Sequence, residues 1–129
     1  MKATGASMYQ LSIQRDFVAR HRLVGGDWGA ENRTHSHRYR AQVVVEGAEL
    51  DEHGFVVDLV ALRSAVDEIV AQFAEQVLNE LPAFDGLNPS LETFARIFHA
   101  QLAPRIGERA LALTVRLWEN ELDWAAYRR

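Results

Sequence analysis

Residues 35–47, HSHRYRAQVVVEG, alternate in polarity. A period of two commits such a stretch to an extended strand with two unlike faces. His35, His37, Tyr39, Ala41, Val43 and Val45 share the apolar parity, while Ser36, Arg38, Arg40 and Gln42 share the other. A helix would scatter both sets around its axis. Upstream, the odd positions Tyr9, Leu11, Ile13, Arg15, Phe17, Ala19, His21 and Leu23 repeat the alternation less regularly, which predicts a half-buried partner strand. Between the two, VGGDWGAENRT carries three glycines and an asparagine, the composition of a loop.

Further along, ELDEHG turns the chain and FVVD is expected to end this part of the sheet. Asp58 is placed to cap a helix whose apolar residues, Leu59, Leu62, Val66, Ile69, Val70, Phe73, Val77, Leu78 and Leu81, recur in steps of three and four. Glu75 and Gln76 fall on the polar face of that helix. After the loop PAFDGLNP, Asn88 or Ser90 caps a second helix with Leu91, Phe94, Ile97, Phe98 and Leu102 as its buried stripe. A third strand runs from about Ala110, with Leu111, Leu113, Val115 and Leu117 on one face, and DWAAYRR forms a short fourth. The order strand, strand, helix, helix, strand, strand predicts an α+β fold, an antiparallel four-stranded sheet with two helices on one face. All 129 residues suit one domain, with the small, polar first seven expected to fray. So small an open sheet has edges to cover, and pairing with further copies of the chain is one way to cover them.

Composition narrows the function classes. The net charge is −4 and lysine is nearly absent, which argues against a nucleic-acid partner. No apolar run is long enough to span a membrane, and MKATGASMYQ has no apolar signal segment, so a cytoplasmic protein is expected. The chain has no cysteine, which removes disulfides, thiolate metal ligands and a cysteine nucleophile together.

Within these bounds the histidines stand out. His35 and His37 point to the same side of their strand, and His21 lies near the end of the preceding one, across the loop. All three can therefore converge on one ion, and three neutral imidazoles with a fourth position open match a catalytic Zn2+ centre. His53 sits in a glycine-containing turn and is expected to face solvent, while His99 is expected to be a partly buried helix residue. Glu119 continues the apolar parity of the third strand, where a carboxylate needs a partner. That partner can be Arg116 or Arg105; Glu119 can instead lie in the turn beyond the strand, or receive a planar ligand with two adjacent N–H donors, as pterins and guanines have.

FVARHRL, HSH, GFVVDLVALRSAV, LNELPAFDGLNPSLE and VRLWEN resemble, in order and spacing, the 6-pyruvoyltetrahydropterin and 6-carboxytetrahydropterin synthase family from about Tyr9 to the end of the chain. The resemblance implies the tunnelling fold, homo-oligomers such as trimers or hexamers, and Zn2+ held by His21, His35 and His37. It further implies that Glu119 anchors the ring of a reduced pterin and that Ser90 lines the pocket. Four positions depart from the family pattern. The cysteine expected before the histidine pair is absent, Ala74 and Glu75 replace an Asp-His pair, and Ser36 replaces the glycine between the histidines. One branch of the family carries Glu-x-x-x-His in place of the cysteine, as ENRTH does here, and resembles lyases that shorten the side chain of 7,8-dihydroneopterin triphosphate. Glu31 is thereby the expected catalytic acid or base, with a solvated loop residue or a fourth metal ligand as its alternatives.

Overall fold

A computed structural model describes residues 7–129. The frayed N-terminus expected for the first seven residues falls, for residues 1–6, outside the described residues. Strands β1 (Tyr9–His21) and β2 (His35–Gly47) form a long antiparallel hairpin, followed by helices α1 (Leu59–Phe73) and α2 (Leu91–Leu102) and strands β3 (Ala112–Trp118) and β4 (Trp124–Arg128). The sheet order is β1-β2-β3-β4, antiparallel throughout. This is the α+β layering that the alternation and the helical spacing predict.

The apolar parity of the hairpin turns toward the helices. Phe17, Ala19, Tyr39, Ala41, Val43 and Val45 are buried, together with Val115 and Leu117 of β3. Phe94 of α2 is the hub of the core, edge-on to Phe17, Tyr39, Phe73 and Phe84 at 6.0, 5.2, 5.0 and 5.4 Å between ring centroids. Burying one such ring stabilises the fold by about 1.5–3 kcal/mol. The core thus packs under the half of the hairpin that leads to the histidines.

Helix α1 starts as expected, with the Asp58 carboxylate accepting from the backbone N–H of Val60 and Ala61. It ends eight residues before Leu81, at Phe73. Glu75 takes φ 64°, a left-handed conformation that stops the helix, so it does not lie on a helical face. Its N–H donates to the Val18 carbonyl at 2.7 Å, and the Arg20 N–H donates to Gln76 O at 2.8 Å. The segment after the helix therefore runs along the outer edge of β1. Val77, Leu78 and Leu81 kept an apolar spacing because Leu78 and Leu81 still pack on the core from short 3-10 turns. FVVD is likewise not a strand; it bends across the core with Val56 buried and hands over to the cap. Leu111 precedes β3 and is 61% exposed, so the buried face begins at Ala112 and Leu113.

Candidate metal centre and adjoining pocket

The hairpin register places His21 directly opposite His35, and Ala19 opposite His37. Because i and i+2 side chains share a face, three imidazoles meet where β1 and β2 leave the sheet. The Nε2 atoms of His21 and His35 are 3.1 Å apart, and those of His35 and His37 are 3.0 Å apart. Four ligands at zinc–nitrogen distances stand about 3.3 Å from one another around a tetrahedral ion, so the spacing is that of a ligand set.

Proton placement points the same way. His21 Nδ1 lies 3.0 Å from Pro89 O, and His35 Nδ1 lies 2.6 Å from Arg33 O. A carbonyl can only accept, so each Nδ1 carries a proton, and in the neutral form of either ring Nε2 is the bare nitrogen. The Nε2 atoms gather beside the Glu31 carboxylate, 3.0 Å from His35 Nε2. Burial first, and the neighbouring His37 second, lower the His21 pKa to about 4, so at neutral pH this ring stays uncharged. Lone pairs packed together with so few protons fit a cation, and the one-atom-each donors of His21, Glu31, His35 and His37 lie within 4.8 Å of one another.

Glu31 is delivered by a short 3-10 turn, Gly29–Asn32, inside the hairpin loop. Asn32 organises that loop. Its Oδ1 accepts from Trp28 N at 2.8 Å, and its Nδ2 donates to Leu23 O and Gly26 O, each at 3.0 Å. Asn79 clamps both backbone groups of Arg22, and Asn88 Oδ1 accepts from Val24 N. With Leu23 N donating to Glu31 O at 2.8 Å, the strand exit next to His21 is held by side chains where the sheet has stopped. None of these asparagines, nor Tyr39, emerges from sequence patterning as a site residue. Tyr39 does lie on the histidines' parity; it is buried, with its hydroxyl 3.2 Å from His21 Nδ1.

A cavity of about 220 Å³ opens beside the centre, lined by His21, Trp28, Glu31, Ser90, Glu119 and neighbouring residues. Glu119 stands just past the end of β3 with Oε2 3.9 Å from His37 Nε2. Neither expected arginine reaches it. Arg105 pairs with Glu68 at 2.9 Å, and Arg116 donates to Gln42 Oε1 and covers the Trp124 ring at 4.1 Å. Burial raises the Glu119 pKa, the His37 ring opposes that rise, and Glu31 adds to it. Ser90 is the N-cap of α2; its hydroxyl accepts from Thr93 N and donates to Thr93 Oγ1, both at 3.1 Å, which leaves it a wall of the cavity. Ala74 caps the end of α1 and Glu75 is exposed on the edge of β1, so neither belongs to the cluster. His53 is exposed beside Glu52, and His99 is buried with Nε2 donating to Leu113 O.

The sequence profile of the family described as 6-pyruvoyl tetrahydropterin synthase matches residues 10–129. The chain belongs to this family. A protein of Archaeoglobus fulgidus named "Putative 6-carboxy-5,6,7,8-tetrahydropterin synthase" is 31% identical over 120 residues, covering 92% of this chain and 95% of its own. The dihydroneopterin monophosphate aldolase of Pyrococcus furiosus is 27% identical over 120 residues, covering 89% and 97%. Among solved structures, the 6-pyruvoyl tetrahydropterin synthase of Caenorhabditis elegans superposes with a TM-score of 0.83 at 18% identity, covering 95% of this chain and 96% of that one. A Plasmodium vivax 6-pyruvoyltetrahydropterin synthase with a catalytic glutamate replaced by alanine gives 0.80 at 15%, covering 95% and 98%. As a member of the 6-pyruvoyl tetrahydropterin synthase family, the chain keeps that fold over nearly its whole length.

Proposed function

We propose that this protein is a zinc-dependent enzyme that acts on the side chain of 7,8-dihydroneopterin triphosphate or a related reduced pterin. The observation that carries the reading is the proton-poor cluster of His21, Glu31, His35 and His37, opening into a cavity whose wall also holds the arginine-free carboxylate of Glu119. Zinc bound by the three histidines would supply Lewis acidity, lowering the pKa of a substrate hydroxyl and stabilising negative charge on its oxygen. Glu119 receives the adjacent N–H donors of the pterin ring and so aims the side chain at the histidines. Glu31 takes the proton from the side-chain hydroxyl and returns one to the departing carbon or oxygen. Trp28, 48% exposed with its indole N–H held by Val24 O, offers a face at the cavity rim. Support for Glu31 comes from the Plasmodium vivax synthase, in which a glutamate is a catalytic residue, and support for the substrate class from the Pyrococcus furiosus aldolase. We place this activity in a homo-oligomer.

A second reading has its own observation. The positions of the family's Asp-His pair are Ala74 and Glu75, outside the cluster, and no cysteine is present. A zinc-binding homologue that holds a pterin or purine without turnover satisfies those facts too. Anaerobic incubation of zinc-loaded protein with 7,8-dihydroneopterin triphosphate separates the two. The enzyme releases a product of altered mass, and Glu31→Gln retains zinc but releases none. Unchanged pterin held by both proteins establishes the binder.

A further inference from the structure

The backbone of Glu31 is pinned while its carboxylate is not. Its N–H donates to Trp28 O at 3.2 Å, its carbonyl accepts from Leu23 N at 2.8 Å, and the next residue, Asn32, is bonded at three points. The carboxylate itself receives no backbone or arginine donor among the described residues; its near neighbour is His35 Nε2 at 3.0 Å, on a ring whose Nδ1 faces the Arg33 carbonyl. The side chain is 48% exposed and lines the cavity, so its torsions are free to turn without disturbing the loop. Three imidazole nitrogens and one carboxylate oxygen within 4.8 Å of one another are a complete tetrahedral donor set, short of closure by a side-chain rotation.

We infer that Glu31 is a displaceable fourth ligand: it closes the metal centre in the substrate-free protein and gives up that position to a substrate oxygen. This rests on the reading above and adds to it a resting state. A carboxylate neutralises part of the ion's charge and keeps water and stray anions off it. A ligand that presents an oxygen from the cavity side, with its ring on Glu119, replaces one hard oxygen donor by another. The released carboxylate remains tethered by its fixed backbone, next to the newly bound oxygen, where a proton acceptor is required. The exchange selects for ligands that carry a hydroxyl or carbonyl at side-chain reach from the ring.

The test uses the full chain stripped of metal and reloaded. Zinc affinity is measured by competition with a chromophoric chelator for wild type, Glu31→Ala and Glu31→Asp, and the cobalt(II) visible spectrum is recorded with and without 7,8-dihydroneopterin. Unchanged melting of the metal-free proteins establishes that each variant folds. Glu31→Ala is expected to bind zinc roughly tenfold or more weakly, with a changed cobalt spectrum, and Glu31→Asp to recover part of both. Added 7,8-dihydroneopterin should bring the wild-type spectrum to that of Glu31→Ala with the same pterin. Equal affinities and equal spectra for wild type and Glu31→Ala overturn the inference, and so does a carboxylate signature that pterin leaves unchanged. A wild type that takes up no zinc overturns both the inference and the enzyme reading. Ligation by Glu31 without turnover overturns only the enzyme.

Discussion

At the scale of single residues, the most consequential group is a carboxylate that no arginine meets. Desolvation holds the Glu119 pKa above its ordinary value. A carboxyl group raised on folding contributes stability below its unfolded pKa and loses it as pH climbs through the folded one, so at neutral pH ionised Glu119 works against the free protein. Glu119→Gln is therefore expected to leave the melting temperature at pH 7 equal or higher. Zinc affinity should hold, while 7,8-dihydroneopterin binds at least about tenfold more weakly, because one charged acceptor for paired donors is gone. Calorimetric titration and a thermal scan on the same samples check both halves, and a variant that loses stability and keeps pterin would sink the assignment. The residues of this site were legible to different degrees. His35 and His37 could be read because strand parity is a property of neighbouring positions, and His21 because a hairpin brings its ends together. Tyr39, Asn32, Asn79 and Asn88 could not, since each acts through a hydrogen bond to an atom far along the chain or inside a loop that no period describes.

At the scale of elements, the instructive boundary is the end of α1. Apolar spacing carries on past Phe73, yet the helix stops, because Glu75 donates to Val18 O and the chain turns to run beside β1. A periodic count cannot separate a residue packed by a helix from one packed by the turn after it, and Leu78 and Leu81 are of the second kind. The left-handed φ of Glu75 costs roughly 1–2 kcal/mol that glycine would avoid, partly offset by glycine's freer unfolded chain. Glu75→Gly is thus expected to stabilise the fold by up to about 1 kcal/mol, read as a higher urea midpoint at constant slope. The α2–β4 packing carries a second prediction. His99 is buried, its Nε2–H bonded to Leu113 O and its ring edge-on to Tyr127 at 4.8 Å, and burial lowers its pKa. A histidine whose pKa falls on folding lends stability above its unfolded pKa near 6.5 and loses it as pH drops below that value. The urea midpoint of His99→Gln should accordingly change less between pH 7 and pH 5 than that of the wild type; parallel pH profiles would refute this account of His99.

At the scale of the whole molecule, the sheet leaves a question that one chain cannot answer. β1 and β4 are its two edges. The segment after α1 covers β1 near residues 18–20, through Glu75 N, Gln76 O and the Arg20–Val77 bridge, and among the described residues the rest of the 13-residue strand has no neighbour on that side. β4 is the other open edge, with Leu122 84% and Trp124 48% exposed at its start. Unpaired edges this long template further pairing, and no bulge or proline interrupts Tyr9–His21. Four strands are too few to close on themselves, so closing this sheet into a barrel would take other copies of the chain joined edge to edge. Antiparallel pairing of β1 with the β4 of a neighbour would repeat around a ring without leaving a free edge, and three copies would make twelve strands. Sedimentation equilibrium at micromolar concentration is therefore expected to give three times the 14.6 kDa of the chain, or six times if two rings stack. The exchange of those β1 amide hydrogens at residues 9–17 that do not bond to β2 should slow by orders of magnitude relative to a diluted, dissociated sample. A sharp 14.6 kDa species across the whole concentration range, with those amides exchanging freely, would mean that the edges are tolerated rather than paired, and that each candidate metal centre must work with the residues of a single chain.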